Sequence, residues 1–237
     1  MNKNFCLVGI DNDFEDLIEN YKNHYIGFFS SKKTKSYNNK KKKLGNENLQ
    51  DWKRIKKKFN PKVFITIDDG RQREFLYKKI YKNNYSNLIF EKSFVSKSSR
   101  LLLNKKRGII IQNFSTIMPN VRIGDGVKIN INSQIHHDTI IGKFSTVAPA
   151  CVILGNVKIG KYSYIGANST IKQNIKIGNN CIVGAGSVVT KDVKNNDVVV
   201  SSQAKILRKN IISYKYHRIT LNPMKRSKMG FKGKVKF

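Results

Sequence analysis

Acidic residues are scarce. The 237-residue chain carries 15 Asp and Glu against 46 Lys and Arg, a formal net charge of +31. That imbalance disfavours cationic partners and points to anionic ones: phosphate-bearing small molecules, nucleic acid or acidic lipid. Long apolar runs are also missing, and no stretch approaches the ~20 apolar residues that a membrane-spanning helix needs. The first residues, MNKNFCLVGIDND, form a short apolar patch followed by acids, which does not read as a secretory signal. Cys6, Cys151 and Cys181 make an odd set without metal-ligand spacing, which excludes a disulfide framework and predicts reduced thiols in a cytoplasmic protein. A glycine-rich dinucleotide loop is absent too: after the first apolar run stands GIDNDF, with Gly9 its only glycine.

What is present divides into three segments. Residues 1–92 alternate short apolar runs with helical patterns. NFCLVGI (4–10), HYIGFF (24–29), VFITI (63–67) and NLIF (87–90) read as strands, and DFEDLIENYKN and REFLYKKIYKN (73–83) as helices. That order predicts a small Rossmann-like α/β domain with a parallel sheet. The basic stretch SSKKTKSYNNKKKKLGN interrupts it as a low-complexity loop. Residues 206–237 form a basic tail with interspersed aromatics and no period.

The middle segment has a different period. Every sixth residue from Ile111 to Val189 is Ile or Val, without a slip. Four residues after each comes a small or β-branched side chain, such as Ser115, Thr139, Cys151 or Cys181, and glycine often follows the first residue, as at Gly142, Gly160 and Gly178. A helix repeats every 3.6 residues and a strand every 2, so neither yields a period of six. Hexapeptide repeats predict a parallel β-helix over residues 93–205, a triangular prism with Ile and Val inside. The two repeat cysteines fall on inward positions and read as packing residues.

Within this regularity INSQIHHDTIIGKFSTVAPACVILGNVKIG (131–160) contains the adjacent pair His136 and His137 followed by Asp138. Three hexads make one turn, so Gly155 stacks one turn along from His137, and Pro149, Ala167 and Ala185 stack in a column of small residues. Acyl transfer from a thioester needs a group that takes a proton from the acceptor and a donor for the tetrahedral oxyanion. Histidine titrates near neutral pH, and an adjacent carboxylate can hold its tautomer. A corner of a solenoid also faces solvent, where a polar His-His-Asp can be inert. His24 and His217 have no sequence partner.

This stretch resembles the hexapeptide-repeat sugar acyltransferases of the sialic-acid O-acetyltransferase and bacillosamine N-acetyltransferase type. The shared features are a histidine followed by an acid, a hydrophobic-Ile-Gly, and Gly-Asn-Val-x-Ile-Gly at 155–160. The resemblance implies a left-handed β-helix, a homotrimer, and acetyl-CoA as co-substrate in a groove between neighbouring helices, without a metal. It also implies an acetyl group transferred to an amine or hydroxyl of a sugar, nucleotide-linked, in surface-glycan biosynthesis. By resemblance the general base is His137 and its orienting acid Asp138. Gly155 supplies an amide at the thioester, while Thr146, Ala167 and Ala185 line the cofactor. Asn130 and His136 join the acceptor site, with Gly9, Asp11, Asn12, Asp13, Ser30, Ser31 and Asp68 at the strand ends of the first domain.

The first domain departs from the family pattern. Asp11 and Asp13 replace small or polar residues, Ser30 and Ser31 stand where an acid pair is common, and Asp68, beside Asp69, takes a glycine position. Four aspartates at strand ends would repel a diphosphate unless Lys32, Lys33 or other cations compensate. The acceptor then differs from a nucleotide sugar, or the domain has lost its ligand. Ser201 to Lys205 also lack the family's closing glycine and proline. A second function stays open: a non-catalytic scaffold that holds polyanions or an acidic membrane surface through its basic loop and tail, although no nucleic-acid motif is present.

Overall fold

A computed structural model describes residues 4–9, 18, 21–30, 43–81 and 84–201. Met1–Ser201 form one compact unit. Most of the helix expected after the first strand lies outside the described residues, as do nearly all of the basic loop and the tail 206–237. Among the described residues no helix is long and apolar enough to cross a membrane.

The N-terminal lobe holds a four-stranded parallel sheet. Its strands are β1 (Phe5–Val8), β2 (Tyr25–Phe29), β3 (Lys43–Gly45) and β4 (Lys62–Ile65), in the order β3-β2-β1-β4. Between β3 and β4 runs α1 (Leu49–Phe59), to which the sequence reading assigned no element. Its apolar contacts, Trp52 and Ile55, lie three residues apart and are buried. The Asn48 side chain accepts from the Asp51 N–H, and Lys56, Lys57 and Lys58 sit at the favourable, C-terminal end of the helix dipole. Three lysines in a row had masked that apolar face. The short helix α2 (Gly70–Phe75) continues as a π-helical turn over Leu76–Ile80, inside the span expected at 73–83.

The β-helix then follows, left-handed and parallel, in coils of three two-residue strands. Strand β5 (Leu88–Ile89) pairs with Ile110–Ile111 of the prism, so the run NLIF is the first rung of the β-helix rather than the last strand of the lobe's sheet. A seven-stranded face 1 includes Ile110, Lys128, Thr146, Tyr164 and Ile182 as its outward residues. A six-stranded face 2 presents Phe94, Thr116, Gln134, Val152, Thr170 and Val188. A four-stranded face 3 presents Arg122, Ile140, Lys158 and Lys176. Register is one full turn per eighteen residues, as in Lys128 opposite Thr146. The last coil is shorter, with Val183 opposite Val199.

Every Ile or Val of the six-residue register from Ile111 to Val189 is buried. The small position between them carries its own ladder. Hydroxyls of Ser133, Thr139, Ser145, Ser163 and Ser169 each donate to the carbonyl fifteen residues on. Cys151 Sγ donates to the Gly166 carbonyl in the same way. The buried hydroxyls of this ladder are therefore satisfied, and the cysteine substitutes for serine as a packing group. Burial pushes the Cys6 and Cys151 thiols up, away from the thiolate a nucleophile needs.

The hexad glycines are required by close approach. A Cβ on Gly142 would meet the Gly160 carbonyl carbon at 2.5 Å, and one on Gly160 would meet that of Gly178 at 2.5 Å. The left-handed position of the corners goes most often to asparagine, as at Asn120, Asn132, Asn156, Asn168, Asn174 and Asn180, with φ between 56° and 64°. Asparagine tolerates that conformation because its short polar side chain hydrogen-bonds locally.

Candidate active site

His137 and Asp138 stand on the vertex between faces 2 and 3. Asp138 fills the left-handed seat of its corner, φ 59°, where the coils before and after it place Asn120, Asn156 and Asn174. Asparagines in such a column can donate and accept along it, and Asn156 Nδ2 does donate to Asn174 Oδ1 at 2.8 Å. Aspartate can only accept. Asp138 Oδ1 accepts from Asn120 Nδ2 at 3.2 Å, and Oδ2 accepts from His137 Nδ1 at 2.8 Å. His137 first, and then Asn120, hold the Asp138 carboxyl below the usual carboxylate range.

An ionised carboxylate at Nδ1 places the imidazole proton there and leaves the Nε2 lone pair outward. Nε2 lies over Gly155: a Cβ at that residue would come within 2.7 Å of it. The next coil thus leaves room for the ring only because residue 155 is glycine. The two turns are tied by Asn156 N–H donating to the His137 carbonyl at 2.9 Å. More than half of the His137 side chain is exposed, 58%. His136 is half-buried on the preceding strand end, its N–H bonded to the Ile153 carbonyl.

The other expected residues lie elsewhere on the prism. Pro149, Ala167 and Ala185 line up on the vertex between faces 1 and 2, with Asn168 N–H on the Pro149 carbonyl and Gly186 N–H on that of Ala167. Ala167 is half-buried and Ala185 exposed. Thr146, expected beside the cofactor, is on face 1, buried under the N-terminal lobe. Its hydroxyl donates to the Asp68 carbonyl at 2.9 Å and accepts from Arg73 Nη1 at 2.9 Å, so its hydrogen bonds are used within the chain. Asn130 is buried on face 1 as well, with Oδ1 unpartnered.

The lobe meets the prism along face 1 and the vertex between faces 3 and 1. Arg73, 2% exposed, donates to the carbonyls of Gly126, Ile67, Asp68, Phe144 and Ser145. Burial pushes its pKa down to about 10, with Asp68 and Asp69 opposing, so it remains charged at neutral pH. Phe144 packs edge-on to Tyr77 and stacks on Tyr162, whose hydroxyl donates to Glu74 Oε2 at 2.5 Å. Arg73 went unrecognised in the sequence, where a single arginine in a helix gives no sign of burial.

Of the expected acceptor residues, Gly9, Ser30 and Asp68 follow the carboxyl ends of β1, β2 and β4. Gly9 has φ 97°, and a Cβ there would meet Thr66 Oγ1 at 2.8 Å. Ser30 is buried, its N–H on the Gly45 carbonyl. Asp69 caps α2 by accepting from the N–H groups of Arg71 and Gln72. Asp68 pairs with Lys128 of the prism at 3.0 Å. Two of the four strand-end aspartates are thus accounted for, one as a helix cap and one neutralised. Asp11, Asn12, Asp13 and Ser31 lie outside the described residues.

Residues 110–220 match the family model of the GMPPB C-terminal domain, just under half of the chain. Among solved structures, the acetyltransferase domain of PglB from Neisseria gonorrhoeae FA1090, bound to acetyl coenzyme A, aligns with a TM-score of 0.72 at 19% identity, over 87% of this chain and 100% of that one. A histidine mutant of GDP-perosamine N-acetyl transferase from Caulobacter crescentus, bound to CoA and GDP-perosamine, aligns with a TM-score of 0.73 at 21% identity, over 88% and 99%. WeeI from Acinetobacter baumannii AYE aligns with a TM-score of 0.67 at 24% identity, over 87% and 100%. At these identities the likeness establishes a shared fold, extending through both the lobe and the β-helix.

Proposed function

We propose that this chain is an acetyl-CoA-dependent acyltransferase that acetylates an amine or hydroxyl of a nucleotide-linked sugar for a surface glycan. The observation that carries this reading is the His137–Asp138 pair, with Nε2 free over Gly155. Likeness over 87–88% of this chain to structures that hold acetyl-CoA, CoA and GDP-perosamine supports the choice of ligands. His137 Nε2 takes the proton from the acceptor while its nitrogen or oxygen attacks the thioester carbonyl. Asp138 stabilises the imidazolium, and the Gly155 backbone N–H, unshielded by a side chain, serves the oxyanion. The C–S bond then breaks and the CoA sulfur leaves with the proton. Asn130 and His136 border the acceptor.

One chain does not make the whole site. His137 stands on the vertex opposite face 1, the face on which the lobe with its strand ends is seated. The small-residue column occupies yet another vertex. Face 2, between those two vertices, has no charged outward residue in a chain of net charge +31, and it exposes Phe94 and Val188. Such a face suits contact with another copy. A homotrimer joined there would bring the His137 vertex of one chain against the alanine column and lobe of the next.

Calorimetric titration of acetyl-CoA, with free CoA and ATP as controls at physiological salt, tests the reading. Saturable binding at about one site per chain, preferring acetyl-CoA or CoA over ATP, is expected, with a Kd of about a micromolar to a millimolar. Binding that follows phosphate charge alone would favour a polyanion scaffold instead.

A further inference from the structure

Lys128 is an anomaly among the outward residues of the prism. Lys158 and Lys176 hold the same hexad position on face 3 and are exposed, whereas the Lys128 side chain is 2% exposed. Its neighbours on face 1 are Ile110 and Thr146. An apolar residue would fill the place, and burying an ammonium group is costly. Its Nζ donates to the Thr66 carbonyl at 2.9 Å and to Asp68 Oδ1 at 3.0 Å. The Asp68 side chain is 56% exposed, so that end of the pair is open to solvent. The cost of burying the ammonium is one reason to look for a role beyond packing.

Its location gives a stronger one. With strand order β3-β2-β1-β4, the connections run outward in opposite directions from β1 and β4, which makes the gap between them the switch point. Open parallel α/β sheets receive ligands at that point, outside the carboxyl ends of the strands. Thr66 spans the gap, its hydroxyl donating to the Val8 carbonyl, and Gly9 approaches it too closely for a side chain. Lys128 reaches this spot from the β-helix. Two residues along on the same face, Asn130 Oδ1 is buried without a partner, and so is Gln112 Nε2 one coil below. A buried acceptor and a buried donor left unpaired are unfavourable, and a polar ligand would satisfy them.

We propose that Lys128 binds the acceptor, as the counter-charge for the diphosphate of a nucleotide-linked sugar at the β1/β4 switch point, with Asp68 as the competing counter-ion that the incoming anion displaces. This assignment rests on the acyltransferase reading and names the anion that its acceptor carries. It also gives the strand end at Asp68 a compensating cation, which comes from the other half of the chain.

The test is titration of GDP and UDP into the intact protein and into K128M, D68N and K158M, at physiological salt, with thermal melts run alongside. At least one nucleotide should bind saturably at about one site per chain and be displaced by inorganic diphosphate in large excess. K128M should weaken that binding about tenfold or more, K158M should leave it unchanged, and D68N should leave it equal or tighter. A mere strut predicts that D68N weakens binding as K128M does, since either change breaks the same pair, and that outcome overturns the proposal. So does an equal loss in K158M, unchanged affinity in K128M, failure of diphosphate to compete, or no nucleotide binding to the parent protein. If K128M does not fold, D68N decides by its sign. Acetyl-CoA binding should survive in K128M; its absence from the parent protein would instead sink the acyltransferase reading.

Discussion

Two neighbouring corners of the prism share a backbone and differ in everything else. Asp138 and Phe144 are one hexad apart, both left-handed, at φ 59° and 58°. At the first corner the seat holds a small acceptor that orients an exposed imidazole. At the second it holds a buried aromatic ring, followed one coil later by Tyr162 at φ 59°. A bulky residue in that conformation carries a strain of about 1–2 kcal/mol, which persists only where packing offsets it. Tyr77 and Tyr162 supply that packing, and the carbonyl of Phe144 approaches Gly70 so closely that a Cβ there would lie 2.0 Å away. The fold therefore offers identical seats, and side-chain choice turns one into the proposed site of acyl transfer and another into a mount for the lobe.

The comparison can be broken at either corner. F144A should remove the ring from under the lobe and lower unfolding stability by about 3–5 kcal/mol, read as a shift in the urea midpoint. At the other corner G155A should leave the fold intact but push the His137 ring aside; turnover should fall about 100-fold while acetyl-CoA still binds. D138N tests the seat itself. Asparagine suits the left-handed backbone as its neighbours do, but its amide would donate to Nδ1 and favour the tautomer protonated at Nε2. The melting temperature should hold while kcat falls about tenfold or more.

The smallest effect is expected from E74Q, at the mount. Lys78 first, and then the Tyr162 hydroxyl, hold the Glu74 carboxyl below its ordinary value of 4.5. A lowered folded-state pKa means the contribution is present above the ordinary value and lost as pH falls through the lowered one. Parent and E74Q melting temperatures should therefore differ slightly at pH 7 and converge in acid below about pH 4.5.

The prism was legible because a period of six belongs to no other common element. Burial of both inward positions followed from that period, as did the stacking of His137 over Gly155. The lobe was less so. Alternation revealed its strands, but β5 looked like one more of them, since two apolar residues do not say which sheet they join. The Trp52 and Ile55 face of α1 was diluted by lysine. Lys128 shows why the rest was hidden. It shares its hexad position with Lys158 and Lys176, and only the docking of a lobe distant in sequence makes it a buried cation. The Thr146 hydroxyl was hidden for the same reason, since its partners Asp68 and Arg73 come from the lobe.

Acyl transfer at the His137 corner is tested most directly by CoA release from acetyl-CoA with a panel of nucleotide-linked amino sugars, for the parent protein and H137A. With at least one acceptor, the parent should release CoA and H137A should be slower by about 100- to 10,000-fold, with acetyl-CoA affinity retained. Turnover by H137A within a few-fold of the parent would contradict the account and return the histidine pair to an inert corner.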